Sequence, residues 1–297
     1  MLQAHYILLE MNLLIIGSSG TLGKSLYYFL KKKFKVSHNG LTKRKFDLKK
    51  KNQVRTLLKT LNPKVIINCC GVTDLDYCEK NQVKSSEINV KIIQNFLDFQ
   101  KEFKFYFIHI STDHLYDSKT RRASYEIDKI KINNEYSRQK RMAERICLKY
   151  KSLIFRTNFF GKSGKKTIDN WLYLNLKKKK KIYLFNDVFF NPLRLESLNK
   201  IFEKILNDKK LFLKKGIYNL GSKNSLSKEK IEKNFTKFLH LKYKDFVSIN
   251  VNPFLKTKRS KNMVMNCKKF EKSFKITLPK LNDEILKESK NYSTLNE

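Results

Sequence analysis

Residues 11–33 read MNLLIIGSSGTLGKSLYYFLKKK. The unbroken apolar run Leu13–Ile16 suits a strand covered on both faces, because neither side of it needs to meet water. Glycine ends the run, and GSSGTLG sets Gly17, Gly20 and Gly23 in a GxxGxxG spacing. Past the turn, Leu22, Leu26, Phe29 and Leu30 recur at helical intervals. Strand, glycine turn and helix in that order make a phosphate-binding unit. The glycines let the backbone approach a pyrophosphate, which rests on the positive end of the helix. The stretch therefore predicts a dinucleotide site built from Gly17, Ser19, Gly20, Thr21, Leu22 and Gly23.

The same rhythm continues outward. A second strand is expected around FKVSHNG, a helix over KNQVRTLLKTL and a buried strand at KVIINCCG. An amphipathic helix is expected over SEINVKIIQNFLDFQKEF, and KFYFIHIST reads as a strand ending in small polar residues. Apolar strands alternating with helices of about ten or more residues predict an α/β fold, a Rossmann-like doubly wound parallel sheet. After about residue 165 the rhythm loosens. KIYLFND, GIYNLGS and KITLPKL suggest short strands between lysine-rich helices at 198–207 and 227–239. The expected division is a dinucleotide-binding domain over 11–165 and a smaller C-terminal substrate-binding lobe over 166–297, some of whose segments return to the sheet. Met11 is a plausible start, with residues 1–10 as an upstream extension.

The 297 residues carry 64 Lys and Arg against 27 Asp and Glu, a net charge of +37. Such a chain attracts anionic ligands. The lysines are nevertheless spread along its whole length, and the densest run, Lys177–Lys181, follows a helix-like WLYLNL, where cations suit the helix C-terminus. That is a compositional bias rather than a nucleic-acid footprint. No run of about eighteen apolar residues exists to span a membrane. The five cysteines are odd in number and lack CxxC spacing, and histidines are few. The reading is reduced thiols in a cytoplasmic protein with no metal site.

NAD-selective folds end the second strand with an acid that holds the ribose 2′-hydroxyl. Between Lys33 and Phe46 there is none, whereas His38, Lys43, Arg44 and Lys45 stand there. NADP(H) is favoured, with NAD(H) the alternative. Asp47 comes too late to be the ribose acid. Tyr136 and Lys140, in EYSRQK, have the spacing of a proton donor and its activator, but five of the 14 tyrosines precede a lysine at that distance. Context separates them. Only Tyr136 combines a helix, which puts Lys140 one turn away on the same face, with a preceding strand that ends in Ser111, Thr112 and Asp113.

GSSGTLG, NCCGVTDLDYCE, ISTDHLYD, YSRQK and FRTNFFG occur in the order and spacing of the extended short-chain dehydrogenase/reductases. With FNDVFFNP, GIYNLG and KRSKNM in the second half, the chain most resembles the dTDP-4-dehydrorhamnose reductase family from Met11 onward. That resemblance implies NADPH-dependent reduction of a nucleotide-linked 4-keto-6-deoxysugar for surface polysaccharide or O-antigen synthesis. By matching position it makes Tyr136 the general acid and Lys140 its activator and the holder of the nicotinamide ribose. It places Thr112 on the substrate carbonyl, with Asp113 assisting. It puts Asp47 and Leu48 at the adenine and Cys69, Cys70 and Gly71 beneath the cofactor. Thr73, His114 and Asn158 would line the substrate cleft, and Arg259 would meet the diphosphate. It leaves Mg²⁺ at the diphosphate undecided, and a homodimer is one assembly compatible with it.

Three departures bear on the sugar. His114 stands where rhamnose-type reductases often have tyrosine, Ser137 replaces the usual glycine after the tyrosine, and the upstream proline is missing from KIKINNEY. Alternative functions are an epimerase of the same superfamily and a non-catalytic, NADP-binding regulatory subunit. A dehydratase normally has glutamate where this chain has His114.

Overall fold

The computed structural model describes residues 12–38, 46–120, 122–162, 167–208 and 210–293, and these fall into two compact units. The first draws on residues 12–111, 134–155 and 201–218; the second on 112–133, 156–200 and 219–293.

In the first unit, the apolar runs of the sequence become strands β1 (Leu13–Ile16), β2 (Val36–His38), β3 (Val65–Asn68), β4 (Tyr106–Thr112) and β5 (Ser152–Thr157). With strand Gly216–Leu220 they form a six-stranded sheet, in the order Gly216–Leu220, β5, β4, β3, β1, β2. β1 runs parallel to both β2 and β3, with Leu13 opposite Val36 and Val65, and β3 runs parallel to β4. Every residue of β1, β3, β4 and β5 is buried, which explains why these strands show no alternation of apolar and polar residues. The strand order reverses between β1 and β3. Crevices at the carboxyl ends of strands flanking such a reversal are where open α/β sheets bind ligands.

Helix Lys51–Leu61 shows how the covering layer forms. Val54, Leu57 and Leu58 are one turn apart, fully buried, and pack with Leu14, Ile66 and Phe96. Removing such a side chain (Leu58→Ala) costs about 2–5 kcal/mol. Asn62, left-handed at φ 40°, ends the helix. The segment expected as one helix over 86–103 is broken. Helix Gln82–Ser86 passes through a π-helical turn, Glu87–Lys91, into helices Ile92–Leu97 and Gln100–Phe103.

The second unit has its own core, in which Leu172, Leu184, Phe235, Leu281, Ile285 and Tyr292 are buried together. Strand Ile182–Phe185 pairs in parallel with Phe246–Ile249, and strand Phe159–Phe160 with Leu193–Arg194. Helices Ile168–Lys177, Lys228–Phe238 and Leu281–Ser293 pack on them. KITLPKL forms no strand. Leu278 donates its amide to Glu271 (2.8 Å), and Pro279 has no amide to offer a ladder. GIYNLGS belongs to the six-stranded sheet. Arg156 is fully buried and structural: it donates to the Tyr116 hydroxyl (2.6 Å) and lies over that ring, and Tyr116 donates to Asn219 (2.8 Å).

Candidate active site

The turn after β1 depends on its glycines. Gly17 has φ +81°, and a Cβ there would come within 2.5 Å of the Cys69 carbonyl carbon and the Cys70 amide. On Gly23, a Cβ would lie 2.4 Å from the Gly17 carbonyl oxygen. These positions let the turn, the start of helix Thr21–Leu30 and the end of β3 close on one another. Gly20 caps that helix without a side chain, and Ser19 beside it is exposed, so the first turn is not closed off by a capping side chain. This geometry fits a pyrophosphate, as the spacing of the three glycines predicts.

β2 ends on His38 rather than on an acid. The ring lies 3.0 Å from the Ser18 hydroxyl and 4.0 Å from the Tyr27 ring, centroid to centroid. Burial, then Lys31, lowers its pKa, so it is a neutral imidazole near pH 7. Lys43, Arg44 and Lys45 lie outside the described residues. Asp47 accepts the Lys49 amide (3.0 Å). The Leu48 side chain packs in the core and its carbonyl accepts from Asn95 (2.9 Å), so any adenine contact would come from its remaining main-chain atoms.

Asn134 caps helix Glu135–Leu148 by accepting from the Ser137 amide (2.9 Å) and hydroxyl (2.8 Å). Ser137 is thus locked into the first turn; glycine could make the amide bond but not the hydroxyl one. Tyr136, 6% exposed, packs against Leu75, Cys78 and Val72. One turn on, the buried Lys140 donates to the Ile110 carbonyl of β4 at 2.5 Å. Burial pushes Lys140 down to about 8, against nearby Glu144, which favours its charge. Ser111 donates to Glu144 (2.7 Å), whose other oxygen meets Arg141 (3.2 Å). The half-buried Cys69 thiol is raised by burial, so it is no ready nucleophile.

Pattern reading missed the groups that hold these parts. Asn68 links the buried His109 ring (3.1 Å) to the Cys70 amide (2.9 Å). Asn89, in the π-helical turn, accepts the Val72 amide (2.7 Å) and donates to the Val72 carbonyl (3.1 Å) and to Gln139 (2.8 Å). That clamps the loop carrying Gly71 and the exposed Thr73 to the helix that carries Tyr136 and Lys140. Polar side chains inside an amphipathic helix were the only available signal, and a π-turn frequently marks functional positions.

Thr112 and Asp113 fall in the second unit. Thr112 accepts the His114 amide (3.2 Å), and Asp113, fully buried, accepts from Asn158 (2.9 Å). Burial raises Asp113 to about 7, despite the hydrogen bonds from Asn158 and Thr112. His114 is pushed down to about 4, by burial and then by Arg259, and is a neutral ring. Arg259 donates its amide to Asn252 (3.2 Å). Thr112, Asp113, His114, Asn158 and Arg259 thus belong to one unit, and the glycine turn, Asp47, Cys69, Cys70, Gly71, Thr73, Tyr136 and Lys140 to the other. Among the described residues, no group of three or more His, Cys, Asp or Glu is placed to hold a metal.

A family model described as the RmlD substrate binding domain matches residues 11–293. A dTDP-4-dehydrorhamnose reductase of Aggregatibacter actinomycetemcomitans is 29% identical over 165 residues, 54% of this chain and 56% of that one. The match spans little more than half the length of that relative. The spore coat polysaccharide biosynthesis protein SpsK of Bacillus subtilis is 25% identical over 199 residues, 65% of this chain and 69% of its own. Among solved structures, the dTDP-4-dehydrorhamnose reductase of Bacillus anthracis in complex with NADP has a TM-score of 0.87 at 20% identity, covering 95% of this chain and 99% of that one. That likeness establishes the fold.

Proposed function

The chain belongs to the RmlD substrate binding domain family, and from that premise we propose that it reduces the 4-keto group of a nucleotide-activated 6-deoxysugar with NADPH, supplying surface polysaccharide synthesis in the cytoplasm. The observation that carries the proposal is the Tyr136–Lys140 pair on a helix anchored to the end of β4 through the Lys140–Ile110 bond. The named activity of the Aggregatibacter relative and the glycan role of SpsK support it.

In this reading the Gly17–Gly23 turn and the helix start behind it hold the cofactor pyrophosphate, and Lys140 holds the nicotinamide ribose. NADPH, when bound, supplies the hydride to the sugar C4. Tyr136 donates its phenolic proton to the C4 oxygen as charge develops there. The Lys140 ammonium favours the phenolate left behind, because a nearby cation stabilises the charged form. Thr112 donates a hydrogen bond to the same oxygen. Asp113 holds Asn158 and steadies the strand end, and His114, Thr73 and Asn158 bear on the sugar. Arg259 binds the diphosphate.

Incubation with a dTDP-linked 4-keto-6-deoxyhexose and NADPH deuterated at nicotinamide C4 tests this. The expected product carries deuterium at sugar C4, with one NADPH consumed per sugar. An epimerase would invert a sugar with no net NADPH loss, and that result would overturn the reductase reading.

A further inference from the structure

Two neighbouring residues of β4 each take hold of one side chain on helix Glu135–Leu148. The Ile110 carbonyl accepts from the Lys140 ammonium (2.5 Å), and the Ser111 hydroxyl donates to Glu144 (2.7 Å). Lys140 and Glu144 are four residues apart, so they share one face of the helix, a single turn from each other. That face is dry: Ser111, Lys140 and Glu144 are 4%, 5% and 0% exposed. The other carboxylate oxygen of Glu144 meets Arg141 (3.2 Å), which is itself partly exposed.

Cys69 and Cys70 face Lys140 from just past β3, His109 from β4 and Cys147 from the same helix. Burial holds the Cys69 and Cys147 thiols protonated and the His109 ring neutral. Helix Ile92–Leu97 and β5, packed with the neighbouring Ala143 and Cys147, bring the uncharged Ile93, Phe96, Leu97 and Ile154. Glu144 is the carboxylate of this group, and it opposes the burial that pulls Lys140 down to about 8. A buried charge is costly unless compensated. Glutamine would fill the same space and accept the Ser111 hydrogen bond without that cost. What the carboxylate alone supplies is a negative charge one turn from Lys140.

We propose that Glu144 is a positioning residue for the reductase reaction, a buried counter-charge that keeps Lys140 an ammonium beside Tyr136. This rests on the reductase reading above, in which Lys140 must carry its charge to favour the Tyr136 phenolate left by proton transfer. β4 then serves the pair twice, with Ile110 fixing the ammonium and Ser111 aiming the carboxylate.

The test is an NMR titration of Lys140 in the full chain with isotope-labelled lysine, its signal identified by its absence from Lys140→Arg. Glu144→Gln should lower the Lys140 midpoint by at least about one pH unit, and Glu144→Asp should return it to within about half a unit of wild type. Ser111→Ala keeps the charge but releases one oxygen, so the midpoint should fall by less. The rate should follow. Reduction needs Lys140 charged and the Tyr136 phenol protonated, and loss of a negative charge lowers both pKa values. In Glu144→Gln the alkaline limb of kcat therefore moves down by a similar amount, while kcat below about pH 6 stays within about threefold of wild type. An unmoved Lys140 midpoint in Glu144→Gln would overturn the proposal; if that variant does not fold, an unmoved midpoint in Ser111→Ala does so. An even loss of kcat at every pH, with Glu144→Asp no better than Glu144→Gln, would also overturn it, since that is what a merely structural role predicts. The midpoint is read without turnover, so its failure is distinct from failure of the reductase reading, which wild-type NADPH oxidation reports.

Discussion

Asp113 and Lys140 are both buried, and burial moves them in opposite directions. Asp113 rises to about 7 and Lys140 falls to about 8, so each loses part of its charge preference near neutrality. For Asp113 the folded pKa lies above the unfolded one, so the folded chain holds the extra proton between them. Its stabilising effect is complete at low pH and is lost as pH rises through about 7. Asp113→Asn keeps an acceptor for Asn158 and removes the buried charge. Thermal melts should show the variant gaining about 3 °C or more at pH 8 and nothing below about pH 4. An equal gain at both pH values would mean the carboxylate is not the source. This burial was invisible in the sequence, where Asp113 was legible as a polar residue at a strand end, with an assisting role implied by the family resemblance.

At the scale of elements, the strands with continuous apolar runs were legible because burial on both faces leaves an unmistakable pattern. Helix Lys51–Leu61 coincides with its periodic segment for the same reason. The π-helical turn Glu87–Lys91 was not legible. Its one-residue slip leaves the apolar spacing nearly helical, and what it does is set by Asn89 and Gln139, whose partners are distant in sequence. KITLPKL misled because alternation alone cannot reveal whether a partner strand exists. Gln139 is fully buried and donates to the Gln82 carbonyl, Ser85 and Glu135 while accepting from Asn89. Gln139→Ala strands several of these groups at once. Urea unfolding should show a loss of about 1–3 kcal/mol with an unchanged m-value. A loss under about 0.5 kcal/mol would show that the clamp contributes nothing to holding the loop.

Across the whole molecule, the excess of 64 basic over 27 acidic residues outweighs any single ion pair. The ion pairs the structure shows are mostly exposed, such as Arg55–Glu102 and Lys200–Glu196, and pairs of that kind contribute little. Self-repulsion therefore dominates the salt response. The melting temperature should rise between about 20 mM and about 500 mM NaCl as repulsion is screened. A fall would mean that ion pairs prevail. No helix among the described residues is long and apolar enough to cross a membrane. The two-unit arrangement was legible only in part. A loosening rhythm marked the second half, while the assignment of 112–133 to the second unit and 201–218 to the first depends on contacts that no local pattern encodes.

In the proposed function, Tyr136 and Lys140 perform chemistry rather than merely pack. NADPH oxidation should be followed with a panel of nucleotide-linked 4-keto-6-deoxysugars, wild type beside Tyr136→Phe. The account predicts turnover of one sugar nucleotide by wild type and loss of at least about 10² of that rate in the variant. If both proteins bind NADPH and neither oxidises it with any sugar, the pair is an inherited structural feature and the reductase account is wrong.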